Sequence, residues 1–218
     1  MDLSIQEETQ QRFNNSTLQD IMDFYDKKLI DIKEKYYKDE GQIGVQAGLG
    51  LKKLKEELKE VPEMGVPVVG QLYNTIIRGA RVKKLYLRSS DTGGGKSRLA
   101  VGDACLSSIG EFYDWKNKKW IKYDLKEPTL LIVTELEIEE MQTMILAFVS
   151  GVNEEKILSG TYTQEEEDII NKSMDIIEKS PLWIEHIPNF NIEDIERTIK
   201  KYKLEYGIGY VYFDYIFT

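Results

Sequence analysis

Three features of this 218-residue chain predict an α/β fold, a mostly parallel sheet flanked by helices and preceded by a helical N-terminal segment. Strand-like and helix-like stretches alternate from LYLRS to the C-terminal YVYFDYIF, and the strand candidates are short, apolar and rich in β-branched and aromatic residues. A triple glycine followed by Lys-Ser stands between the first of these strands and the first helix. Such alternation implies crossover helices on both sheet faces.

Before the alternation, Leu18, Ile21, Met22, Tyr25, Leu29 and Ile32 recur at three- and four-residue steps. They predict an amphipathic helix started by Ser16 or Thr17 and ending near Glu40 and Gly41. Leu51, Leu54, Leu58 and Val61 mark a second, shorter helix closed by Pro62, followed by the turn-prone EMGVP. Residues 1–65 are therefore expected to form a helical N-terminal and linker segment, and residues 66–218 the α/β domain.

Within that domain, LYLRS reads as a strand and KSRLAVGDACLSSIG as a helix, followed by TLLIVTE as a strand and IEEMQTMILAFVSG as a helix. TQEEEDIINKSMDIIEKS is a capped acidic helix, PLWIEHI a short strand, NIEDIERTIKKYKLEYG a helix ending on Gly207, and YVYFDYIF a buried strand. EFYDWKNKKWIKYD, with aromatic arms around Lys116-Asn117-Lys118, reads as an inserted β-hairpin. Trp115 and Trp120 could stack on nucleobases, although aromatics in a hairpin more often pair across strands.

A net charge of −9 with 31% charged residues leaves no overall basic field for nucleic acid, so any polyanion contact has to be local. No stretch approaches the roughly 20 apolar residues of a membrane span. The N-terminus lacks the basic start and apolar core of a signal peptide, and the single cysteine, Cys105, has no partner for an internal disulfide. A reducing, cytoplasmic location without membrane contact is expected.

The glycine loop carries the chemistry. A phosphate cradle needs inward-pointing backbone N–H groups, which a tight loop free of side chains permits, and the following helix contributes its positive dipole end. Counting back from Lys96, G-x-x-x-x-G-K-S is met at every fixed position except the first, where Ser90 stands. Residues Ser90, Asp91, Thr92, Gly93, Gly94, Gly95, Lys96, Ser97 and Arg98 are thus the nucleotide-binding candidates; Lys96 would reach the terminal phosphates and the Ser97 hydroxyl a magnesium ion. The plainer alternative is a flexible glycine turn.

A nucleotide-hydrolysing site also needs an acid beside the metal and a base for water. Asp214 ends an apolar strand, where a carboxylate is costly without a cation or hydrogen bonds. Glu135 ends TLLIVTE and is the candidate base, while Glu137, Glu139 and Glu140 fall in the next helix's first turn, where acids favour the dipole. His186, the only histidine, has no ligand partner and reads as a strand-end hydrogen-bonding group. Cys105 reads as a buried thiol.

The residues from Glu135 onward resemble the DnaB-type replicative DNA helicases, which carry a RecA-like ATPase domain. ELEIEEMQTMILA is similar to the family's glutamate before a Met-rich helix, ILSGTYTQEEEDII to its following stretch, and PLWIEHIPNFNIEDIERTIKKYKLEYGIGYVYFDYI to its strand, helix and Asp-Tyr strand. The resemblance implies a P-loop ATPase using ATP and magnesium, with Lys96 on phosphate, Ser97 and Asp214 on magnesium and Glu135 as catalytic base. It further implies translocation on single-stranded DNA by a hexameric ring of identical subunits and contacts to a primase or helicase loader. The segment VVGQLYNTIIRGARVKKLYL is similar to the approach to the ATPase domain, and residues 51–60 to the linker helix that docks on a neighbouring subunit.

Departures from the family also matter. Ser90 stands where glycine or alanine is usual, Asp91 adds a carboxylate near the phosphates, and the tryptophan hairpin lengthens a short connection. The N-terminal domain that binds primase is reduced here to a helix or two. The family's later strands, DNA-binding loops and arginine finger have no counterpart up to Thr218, so a truncated chain with an incomplete sheet is expected, weak in ATP hydrolysis and unable to unwind DNA alone. Two other readings stay open: a RecA-like ATPase of recombinase or signalling type, and a catalytically silent protein that binds helicase subunits.

Overall fold

The computed structural model describes residues 17–36, 46–60, 64–91 and 93–214. Ser16, the expected helix end at Glu40 and Gly41, Val61, Pro62 and Thr92 of the glycine loop lie outside them. The chain divides into two compact units, one up to Leu51 and one from Lys52 onward.

In the first unit, helix α1 (Leu18–Tyr36) starts where the sequence predicts. Thr17 donates its hydroxyl to the Asp20 carboxylate at 2.6 Å, and the Asp20 N–H donates to the Thr17 oxygen at 3.2 Å, which satisfies otherwise orphaned donors of the first turn. Met22, Tyr25, Leu29 and Ile32 of the predicted stripe are exposed.

Helix α2 (Leu51–Glu60) likewise buries none of its residues, and Leu51, Leu54 and Leu58 face solvent. After it, Val66 and Ala80 form an antiparallel bridge that brackets the short helix α3 (Gln71–Ile77), an element for which the sequence pattern gives no expectation.

The α/β core is built from α4 (Lys96–Ser108), a hairpin of β1 (Glu111–Asp114) and β2 (Lys119–Lys122), β3 (Thr129–Val133), α5 (Ile138–Ser150), α6 (Glu154–Ser159), α7 (Gln164–Glu178), β4 (Leu182–His186), α8 (Ile192–Tyr206) and β5 (Tyr210–Asp214). The three long strands form a parallel sheet in the order β4-β3-β5, with Val133 in register with His186 on one side and Asp214 on the other. Every residue of β3 is buried, and its alternation serves both faces. Leu131 and Val133 join a cluster with Val101, Cys105, Met141 and Ile145 from α4 and α5, whereas Leu130 and Ile132 pack with Ile195 and Ile199 of α8. Helices therefore cover both faces, as the alternation predicts.

Caps fix the helix starts. Glu137, Thr163 and Asn191 head α5, α7 and α8 in reciprocal capping boxes, and Gly151, Gly160 and Gly207 end α5, α6 and α8 in the left-handed conformation. In the hairpin, Tyr113 faces Trp120 across the strands with ring centroids 5.4 Å apart. Trp115 lies in the turn and donates its indole N–H to the Ser150 carbonyl at 2.9 Å.

Two expectations are corrected. LYLRS forms no strand: residues 84–91 are non-helical and pair with no described strand, and Leu85 and Leu87 are 97% and 87% exposed. The physical reason is that a strand needs a neighbour; both edges of β3 are taken, and no described strand pairs with the outer edge of β5. YVYFD is for the same reason not a fully buried strand, since β5 buries Asp214 alone and exposes Val211. No described helix is long and apolar enough to cross a membrane.

Candidate nucleotide site

The glycine loop folds back on itself immediately before α4. Gly93 and Gly95 adopt φ of 78° and 79°, which L side chains reach only with strain. The Gly94 N–H donates to the Asp91 carbonyl at 3.0 Å, and a Cβ on Gly94 would lie 2.6 Å from the Ser90 Oγ. Ser90 needs no left-handed backbone, so a serine in place of the first glycine is geometrically tolerated. The Lys96 ammonium arches over the loop and donates to the Ser90 carbonyl at 3.1 Å.

Beneath the loop, the chain brings Asp214 to Ser97. Asp214 ends β5, is 5% exposed, and has Ser97 among the polar groups that act on its carboxyl. Burial pushes its carboxyl above the usual range, opposed by the Ser97 hydroxyl; the charge of Glu135 raises it further and that of Lys96 lowers it. These four side chains thus share one electrostatic neighbourhood at the carboxyl ends of β3 and β5, where open α/β sheets place ligands.

Glu135 stands two residues beyond β3, in an exposed bend, rather than on the strand end. Thr134 ties that bend to β5 by donating its N–H and its hydroxyl to the Asp214 carbonyl, at 3.1 and 3.3 Å. Glu137 is the N-cap of α5, and Glu140 closes the capping box, so the structural reading of those acids holds. Arg98 pairs its guanidinium with Glu154 at the start of α6. Asp91 is exposed beside the loop. Cys105 is buried, and burial pushes its thiol far up. His186 ends β4 with Nδ1 3.3 Å from Glu137 Oε2.

Sequence reasoning missed Asp103. This carboxylate lies on the buried side of α4, accepts the Val69 N–H at 2.6 Å and faces the Arg88 guanidinium at 3.0 Å. Burial raises its pKa, with the Val69 hydrogen bond and Arg88 pulling the other way. The available signal was an acid within the apolar run AVGDACL, which a helix tolerates only when something satisfies it.

The donor set suits magnesium held with a nucleotide. Ser97 and Asp214 offer adjacent hard oxygens, and magnesium commonly takes only one or two protein ligands besides phosphate and water. Among the described residues no group of three or more His, Cys, Asp or Glu side chains forms a self-sufficient metal site.

Comparison with known proteins bears on the family and the fold. The model of the DnaB-like helicase C terminal domain matches residues 65–218. The SPbeta prophage-derived uncharacterized protein YorI of Bacillus subtilis (strain 168) is 42% identical over 211 residues, spanning 97% of this chain and 42% of that protein. The chain thus covers less than half the length of that relative. Among solved structures, an isolated ATPase domain superposes with a TM-score of 0.60 at 16% identity over 80% of this chain and 58% of that one. A DnaB-like replicative helicase, described with its interactions with primase, gives 0.59 at 16% identity over 98% and 47%.

Proposed function

The chain belongs to the DnaB-like helicase C-terminal domain family, and from that premise we propose that it binds ATP with magnesium at the glycine loop and hydrolyses it. The observation that carries the reading is the placement of the buried Asp214 carboxylate at the end of β5, within the electrostatic reach of Ser97, Lys96 and Glu135, with Lys96 folded onto the loop at the Ser90 carbonyl. In this reading the backbone N–H groups of residues 93–97 hold the phosphates, and Lys96 leaves the Ser90 carbonyl for the terminal phosphate. Ser97 and Asp214 hold magnesium, which when bound neutralises charge on the phosphate oxygens. Glu135 orients the attacking water and takes its proton.

Hydrolysis would drive translocation on single-stranded DNA and duplex unwinding by a hexameric ring in the cytoplasm, with primase or a loader as partner. These belong to the proposal for the whole protein, carried over from the family. Residues 1–65 then serve as N-terminal and linker segment, with the α2 stripe as a subunit contact.

Calorimetric titration with magnesium ATP tests the loop. Lys96→Ala should remove most of the affinity; equal binding by the unmodified and substituted chains would overturn the assignment.

A further inference from the structure

His186 lies where the catalytic bend meets the sheet. It ends β4 in register with Val133, and the following Ile187 N–H donates to the Val133 carbonyl at 2.9 Å. Its ring is largely buried at 17% exposure, and Nδ1 faces the Glu137 carboxylate at 3.3 Å. Nε2 is buried without a hydrogen-bond partner among the described residues. A carboxylate only accepts, so the contact is favourable when Nδ1 carries a proton, an arrangement that would leave Nε2 as an unused acceptor if the ring is neutral. A buried unpaired acceptor is a cost that an apolar side chain of similar size would avoid.

Residues 134–137 connect β3 to α5 and carry Glu135. At the near end, Thr134 is tied to the Asp214 carbonyl. At the far end, the capping box joins Glu137 to Glu140 of the same helix, and apolar packing of Leu136, Met141 and Ile145 holds the bend and α5 on the core without fixing the Glu137 side chain. The contact with His186 adds a polar link from the Glu137 side chain to the end of β4. The bend is then held at both ends, with Glu135 between.

We propose that His186 is a positioning residue for Glu135: by holding Glu137 against β4 it fixes the 134–137 bend in the orientation that hydrolysis requires. The inference rests on the reading of the site as an ATPase with Glu135 as base. A purely structural role predicts something different. Glu137 is 68% exposed, and a contact to so exposed a group adds little to stability and nothing specific to the chemical step.

The test is single-turnover ATP hydrolysis by the full chain in excess over nucleotide, with magnesium ATP affinity measured in parallel and Lys96→Ala as control. His186→Ala should slow hydrolysis roughly ten- to a hundredfold, the scale of a small misplacement of a reacting group, with affinity unchanged. His186→Asn, whose amide can still present an N–H to Glu137, should recover most of the rate, and Glu137→Gln, which keeps an acceptor, should lose less than His186→Ala. An unchanged rate in His186→Ala, a loss of affinity matching the loss of rate, or no rescue by His186→Asn would overturn the inference. Hydrolysis no greater than in Lys96→Ala would instead overturn the reading beneath it. Should His186→Ala fail to fold, Glu137→Gln decides: a rate below the unmodified chain at equal affinity supports the role, and an unchanged rate refutes it.

Discussion

Asp103 and Val69, 34 positions apart, are joined by a 2.6 Å hydrogen bond from the Val69 N–H to the Asp103 carboxylate. Arg88 completes the connection, 3.0 Å from that carboxylate, with its other terminal nitrogen donating to the Val69 carbonyl at 3.3 Å. The three residues fasten the segment before the glycine loop to the helix after it. Asp103→Ala leaves the Val69 N–H and the Arg88 charge without their partner and should cost about 2–4 kcal/mol, measured by denaturant unfolding.

The same carboxylate gives a pH dependence with a definite sign. Its native pKa lies above the unfolded value, so between the two the folded chain binds more protons than the unfolded one. Stability relative to Asp103→Asn should therefore fall as pH rises from the ordinary carboxylate value through the raised native one, and level off above it. A difference that grows with pH across that interval would contradict the burial of this group.

Neighbouring glycines of the loop should respond unequally to alanine. At Gly94 a Cβ meets the Ser90 Oγ at 2.6 Å and the Asp91 carbonyl at 2.9 Å, so Gly94→Ala should reshape the loop and weaken nucleotide binding sharply. At Gly93 no atom lies within 4 Å, and Gly93→Ala should cost only the left-handed backbone strain, about 1–2 kcal/mol. Equal affinities for the two variants would mean that the loop does not bind in this form.

Glu135→Gln should retain magnesium ATP binding and slow hydrolysis roughly 10²-fold or more, because a lost base acts on the transition state. Glu137→Gln serves as the comparison. A larger loss from Glu137→Gln, with none from Glu135→Gln, would move the base to the helix cap.

Leu85 and Leu87, 97% and 87% exposed on a segment without strand pairing, favour self-association. Light scattering of the concentrated chain should fall when Leu85→Lys and Leu87→Lys are combined. No change would place the association elsewhere.

The core elements were legible because each carries a local signature. Asn191 with Asp194 and Thr163 with Glu166 announce their helices, and TLLIV is apolar on both faces because both are covered. LYLRS misled for the opposite reason: its β-propensity is local, whereas strand formation depends on a neighbour that no sequence window contains. Lys96 and Ser97 could be named from the motif and Asp214 from its strand end, whereas Glu135, expected on a strand end, lies two residues beyond β3; all three neighbours act on the Asp214 carboxyl. Asp103 left only the hint of an acid inside an apolar run, and its partners, like the contact between His186 and Glu137, depend on which elements become adjacent.

The two sides of the glycine loop differ in how their amides can reach solvent. β3 lies between two hydrogen-bonded neighbours beneath helices on both faces, so its amides should exchange only on opening of the whole core, and α4 packs on that core through Val101, Ala104 and Cys105. Residues 84–91 have no such ladder and should exchange quickly. The loop is thus a seam between slow and fast backbone: Lys96 and Ser97 are drawn from the rigid side, Ser90 and Asp91 from the soft one. A phosphate spanning the seam would protect the soft side most, which makes isotope uptake at residues 88–91 a direct gauge of occupancy.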